Sequence, residues 1–125
     1  MALKVLLLAL ILYCSPSYSA WSSAKHLKDS CQEYLQQLDA GDKDGFIQNP
    51  TAGGYCFGVV ESIAFILAYM KNEGMLKEDI FCPPEASLTD LMRYIVLFIH
   101  KNPEVSDAPA AEVVQYALTT DAFKC

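Results

Sequence analysis

The sequence predicts an all-α protein: a compact bundle of four main helices braced by two disulfides, after an N-terminal signal peptide. Three observations carry that expectation. Apolar residues recur at helical spacing in four separate segments, and no run of useful length alternates apolar with polar residues as a half-buried strand would. Most of those segments are bounded by capping or helix-stopping residues. Finally, the cysteines left after export are even in number, which in a small exported domain reads as cross-links.

The first residues are read as a targeting segment. Lys4 supplies a positive charge, Val5 to Tyr13 a short apolar core, and Ser15 to Ala20 a small-residue exit. That is the anatomy of a secretory signal peptide. Cleavage near Ser19 places Ser17 and Ser19 in the small-residue positions, whereas cleavage after Ala20 would put Tyr18 in one of them. The expected division is 1–19 signal peptide and 20–125 a single helical domain. A lipoprotein anchored at Cys14 is disfavoured, because Tyr13 is a poor residue before a lipid-acceptor cysteine.

The first helix is expected from Ser22 or Ser23 to Ala40, with Leu27, Cys31, Tyr34, Leu35 and Leu38 on one face and Gly41 ending it. The segment Gly41 to Gly45 reads as a solvated turn, because the glutamate that closes a calcium loop is missing. Trp21 is a possible staple before that helix, and Phe46-Ile47 a small apolar anchor after it. Asn49-Pro50-Thr51 opens the central helix, which runs to about Lys71 and stops at Asn72-Glu73-Gly74. Its stripe is Cys56, Val59, Val60, Ile63, Leu67 and Met70, yet Phe57, Phe65, Ile66 and Tyr69 make the other side apolar as well. Such a helix is either buried on several sides or spans a membrane. Glu61 in mid-run favours burial. Gly54 and Gly58 leave a flat spot where another backbone can approach.

Beyond it, Met75 to Asp79 is expected as a short helical turn, and Cys82-Pro83-Pro84 cannot continue a helix. Ser87 to Asp90 is a capping signature. The third helix then runs to about Lys101 on Leu88, Leu91, Met92, Ile95, Val96 and Ile99, with Tyr94, Leu97 and Phe98 as surplus apolar residues. Asp107 is the expected N-cap of the last helix, with Pro109 in its first turn and Ala110, Val113, Val114, Ala117 and Leu118 on its apolar face.

Composition narrows the function. Nine basic residues less Lys4, against 15 acidic, give the exported chain a net charge of −7. That charge disfavours nucleic acid and anionic membranes and suits a basic protein partner. Cys31, Cys56, Cys82 and Cys125 remain after cleavage and allow three disulfide pairings. Their wide spacing disfavours a zinc site. Neither a nucleophile elbow nor a phosphate loop is found, and a free cysteine paired with His26 or His100 is not expected. No cofactor and no metal are expected. The residues therefore describe an exported, acidic, non-enzymatic binding protein.

Several motifs, in order, narrow this further: Gly54-Tyr55-Cys56-Phe57-Gly58-Val59, Cys82-Pro83, Asn102-Pro103-Glu104, Ala117-Leu118 and Ala122-Phe123-Lys124-Cys125. Over roughly Cys31 to Cys125 the chain resembles the Tai-type (Rap/Tai) immunity proteins, which protect bacteria against peptidoglycan amidase effectors of type VI secretion. It departs from the family pattern at Asn102 and Lys124. The resemblance implies a periplasmic homodimer, disulfides Cys31–Cys56 and Cys82–Cys125, and a cognate amidase effector as partner. The proposed pairing agrees with Cys31 lying on a core face and Cys56 beginning the stripe it packs against.

Inhibition would be steric, by filling the cleft of a papain-like amidase with a cysteine nucleophile. The effector-binding candidates are Arg93 and Tyr94 on the third helix and the loop Asn102, Pro103, Glu104, Val105, Ser106 and Asp107. The dimer-interface candidates are Leu97 and Phe98. The alternative function is a periplasmic stress protein or chaperone-like binding protein.

Overall fold

The computed structural model describes residues 23–41, 49–82 and 85–125, and among them the chain forms four α-helices. These are α1 (Ala24–Asp39), α2 (Pro50–Asn72), α3 (Leu88–Lys101) and α4 (Ala110–Leu118), with single 3₁₀ turns at Pro103–Val105 and Asp121–Phe123. The readings for the leader, Trp21, the Asp/Gly connector, Phe46-Ile47 and Pro83-Pro84 lie outside the described residues.

Helix α1 begins where its sequence predicts. The Ser23 hydroxyl accepts from the His26 N–H at 3.2 Å. The next two orphan donors are satisfied from far along the chain: Ala24 N–H donates to Ala108 O at 2.9 Å and Lys25 N–H to Ser106 O at 2.8 Å. Leu27, Cys31 and Leu35 are buried, but Leu38 is exposed because it sits in the last turn, past the point where neighbours cover the stripe. The helix stops beside Gly41 at φ +58°.

Helix α2 is capped by Asn49, whose side-chain oxygen accepts from Ala52 N–H at 3.1 Å, with Pro50 at the first helical position. The same Asn49 amide donates to Glu33 Oε1 at 3.1 Å and so ties the start of α2 to α1. A disulfide joins Cys31 to Cys56, both fully buried, with Cα atoms 4.9 Å apart. Close approach occurs at Gly53, where an added Cβ would lie 2.8 Å from Tyr34 Cδ2. Gly54 and Gly58, expected to receive a backbone, face open space within the chain.

The expectation that α2 is buried on several sides is overturned. Its buried residues, Ala52, Gly53, Cys56, Val60 and Leu67, follow one side. The opposite side leaves Phe57, Ile66 and Tyr69 exposed and Phe65 70% exposed. The other three helices cover α2 from one flank only. By length and composition α2 could cross a membrane, but it packs against α1, α3 and α4.

The segment after Gly74, expected as a short helical turn over Met75 to Asp79, forms a single turn closed by Ile80 N–H to Lys77 O. Phe81 holds φ +57°, a strained geometry for a bulky side chain. Its ring is buried, 6.5 Å from that of Phe123. The C-terminus pairs with this segment through Cys82 N–H to Phe123 O (2.7 Å), Cys125 N–H to Asp79 O (3.1 Å) and the Cys82–Cys125 disulfide. In the chain-entropy model the two bonds, closing 25 and 43 residues, contribute roughly 3.5 and 4 kcal/mol.

Helix α3 carries the full capping box: Asp90 N–H donates to Ser87 Oγ at 3.2 Å, and Ser87 N–H to Asp90 Oδ2 at 2.9 Å. Leu91, Met92, Ile95 and Ile99 are buried. All five predicted apolar residues of α4 are buried too. Its predicted cap is not found. Pro109 occupies the N-cap position without a side-chain bond, and Asp107 stands two residues outside. The cause is the turn before it, whose carbonyls serve α1 instead.

Because the Tyr34 ring lies flush on Gly53, Gly53→Ala is expected to lower stability by about 1–3 kcal/mol, the usual cost of overpacking. The loss should outweigh alanine's better helix propensity. Urea unfolding checks it; an unchanged midpoint would show that the ring yields freely.

Candidate interaction surfaces

Helix α3 completes a turn about every 3.6 residues, so its outward residues separate onto two flanks. Arg93, Leu97 and His100 line a groove of about 440 Å³ whose other wall is Gln32, Leu35 and Asp39 of α1. Tyr94 and Phe98 project toward the C-terminal segment. The Tyr94 ring meets Phe123 edge-on at 4.8 Å, and its hydroxyl lies 3.1 Å from Thr120 Oγ1. Phe98 contacts Tyr116 at 6.0 Å between ring centroids. Arg93 and Leu97 thus share a surface, while Tyr94 and Phe98 are half-buried supports for α4 and the tail.

The groove has an apolar floor and one ion pair at its rim. Both terminal nitrogens of Arg93 reach the two carboxylate oxygens of Asp39. The hydrogen bond from Arg93, reinforced by its charge, holds the Asp39 carboxyl below its ordinary range. The Asp90 carboxyl is also lowered, first by the Ser87 hydroxyl, then by the Ser87 N–H and the Arg93 charge. Arg93 is raised, chiefly by its bond to Asp39.

The loop from Asn102 to Asp107 is fixed at both ends. Asn102 Nδ2 donates to Phe98 O at 2.7 Å, and Val105 packs against the core. The Ser106 carbonyl is held by α1. What faces solvent is Pro103, Glu104 and Asp107. These lie at the same end of α3 as His100, which lines one wall of the groove.

A further polar cleft of about 310 Å³ lies among His26, Asp29, Glu33, Asn49 and Tyr55, where burial raises the Tyr55 phenol. Among the described residues no group of three or more His, Cys, Asp or Glu is placed to hold a metal ion. Sequence reasoning missed the groove, since its two walls come from segments more than fifty residues apart. It named the outward aromatics of α2 as apolar but assigned them to burial.

A family model described as Rap1a immunity proteins matches residues 23–125 of the chain. Neither the search of curated proteins nor that of solved structures returned a match.

The Asp39–Arg93 pair predicts a pH dependence of stability. A carboxyl lowered by folding stabilises the native state above the unfolded carboxylate range, near about pH 4, and that contribution is lost as pH falls through the lower folded value. Asp39→Asn should therefore melt below wild type at neutral pH and low salt, and the two should converge in acid. Equal melting at both pH values would contradict the assignment.

Proposed function

The chain belongs to the Rap1a immunity protein family, whose members are non-enzymatic inhibitors that bind cognate effectors, and we propose that it acts in the periplasm by occluding the active-site groove of a type VI secretion peptidoglycan amidase effector. Kin cells that carry it would be protected when the effector arrives. The observation that carries this reading is the anchored loop. Backbone and side-chain bonds to α3 and α1 fix Asn102, Ser106 and Ala108, leaving Pro103, Glu104 and Asp107 outward in one geometry. A preformed protrusion loses little conformational entropy on binding. The two carboxylates suit basic groups beside a cleft, and the α1–α3 groove with Arg93 extends the contact area beyond the loop.

The homodimer expected for the family finds its support on α2. Phe57, Phe65, Ile66 and Tyr69 leave large apolar side chains exposed on the outer side of α2, interrupted by the exposed Glu61 and Ser62, with Gly54 and Gly58 facing open space beside them. Such a face marks an interaction surface. Leu97, also exposed, lies at the groove rather than on this face, while Phe98 is half-buried against α4. The exposed α2 aromatics also favour one other reading, a chaperone-like protein holding unfolded clients. That reading requires the face to be free.

Two results should follow. The chain should co-purify with its cognate amidase and suppress its hydrolysis, and Glu104→Lys combined with Asp107→Lys should weaken that inhibition at least about tenfold, the scale of a desolvated charge contact. Undiminished hydrolysis with wild type would overturn the reading. Phe65→Glu should convert a dimer to a monomer in sedimentation while retaining helical content. A wild-type monomer that captures many unfolded proteins would favour the alternative.

A further inference from the structure

We propose that the Cys82–Cys125 bond is a reversible thiol–disulfide exchange site, activated by Lys71, while Cys31–Cys56 is a sealed structural bond. The two disulfides sit in opposite environments. Cys31 and Cys56 are fully buried. Cys125 is exposed and Cys82 half-buried, at the surface end of α2. There Lys71, in the last turn of α2, places Nζ 2.6 Å from Cys82 Sγ and 3.4 Å from Cys125 Sγ. Its ammonium also donates to Phe81 O at 3.3 Å, which fixes its direction.

A disulfide sulfur is a weak acceptor, so the ammonium gains little from it in the oxidised state. It gains far more from a thiolate, and an adjacent lysine lowers a thiol's pKa and makes it a better leaving group. The second sulfur has a different partner. The Glu78 carbonyl lies 3.0 Å from Cys125 Sγ and 3.8 Å from Cys82 Sγ. A carbonyl accepts from a thiol but repels a thiolate. The geometry thus provides for one product pair: Cys82 as thiolate against Lys71, and Cys125 as thiol donating to Glu78.

The exchange is written from that asymmetry. An external thiolate attacks the exposed Cys125 Sγ. The Cys82–Cys125 bond breaks, and its electron pair leaves on Cys82 as a thiolate held by Lys71. A second external thiolate attacks the outer sulfur of the mixed disulfide and releases Cys125, which takes a proton. One disulfide of the external thiol forms as the protein's disulfide is lost, so a small thiol or dithiol is the reductant. The tail stays docked afterwards, because Cys82 N–H to Phe123 O, Cys125 N–H to Asp79 O and the Phe81–Phe123 contact do not involve sulfur. This inference does not depend on the identity of the effector.

The test is timed reduction of the exported, oxidised protein by dithiothreitol, trapping with N-ethylmaleimide and peptide mapping of the labelled cysteines. Cys82 and Cys125 should be labelled at least about a hundredfold faster than Cys31 and Cys56, which need the core to open. Lys71→Met should slow the first phase about three- to tenfold, because the leaving thiolate loses its ammonium partner. Lys71→Arg should restore most of the rate. The singly reduced protein should keep its helical circular dichroism. Equal rates at the two bonds, loss of helix on the first reduction, or a folded Lys71→Met protein reduced at the wild-type rate would each overturn the proposal.

Discussion

The Cys31–Cys56 bond fixes α1 against α2, and the remaining surfaces depend on where α1 then lies. Around that clamp Tyr34 covers Gly53 and Glu33 receives Asn49. Once α1 is placed, its first-turn donors at Ala24 and Lys25 hold the Ala108 and Ser106 carbonyls. Its Gln32 and Asp39, with the buried Leu35 beneath them, become one wall of the groove. A single buried bond thus positions both a loop at one end of the bundle and a groove along its side. Breaking it would restore conformational freedom to the unfolded chain and so lower stability, and would leave two thiols buried in the core.

Much of this fold was legible before any coordinates. Period-3.6 stripes placed all four helices, and the apolar face of the last one was read residue for residue. Local chemistry placed the Ser87 cap, the opening of α2 at Asn49-Pro50 and the stop at Gly41, because each depends on neighbours a few residues away. The failures share a different cause. Asp107 has a good cap's side chain, but the turn that carries it gives its carbonyls to α1, a partner more than eighty residues distant in sequence. The α2 outer face was misread because an apolar side chain shows what it prefers, not whether the bundle has enough helices to cover it.

The candidate site was legible in part. Its loop was identified, yet the sequence could not show that Arg93 is engaged with Asp39 or that Tyr94 turns inward to Phe123. Adjacent residues on a helix point about 100° apart, so naming both as one contact surface joined two flanks. The resemblance to the family carried what periodicity cannot, the nature of the partner. What the structure adds is an anchored acidic loop, a groove between α1 and α3, and an outer side of α2 that leaves large apolar side chains exposed.

This account treats the protein as an obstacle placed over another enzyme's active site. The most direct measurement is the rate at which iodoacetamide alkylates the nucleophilic cysteine of the cognate amidase, alone and with an equimolar amount of this chain. The account predicts strong shielding. Unchanged alkylation in a complex shown to have formed would contradict it, because the partner would then be bound somewhere other than its cleft.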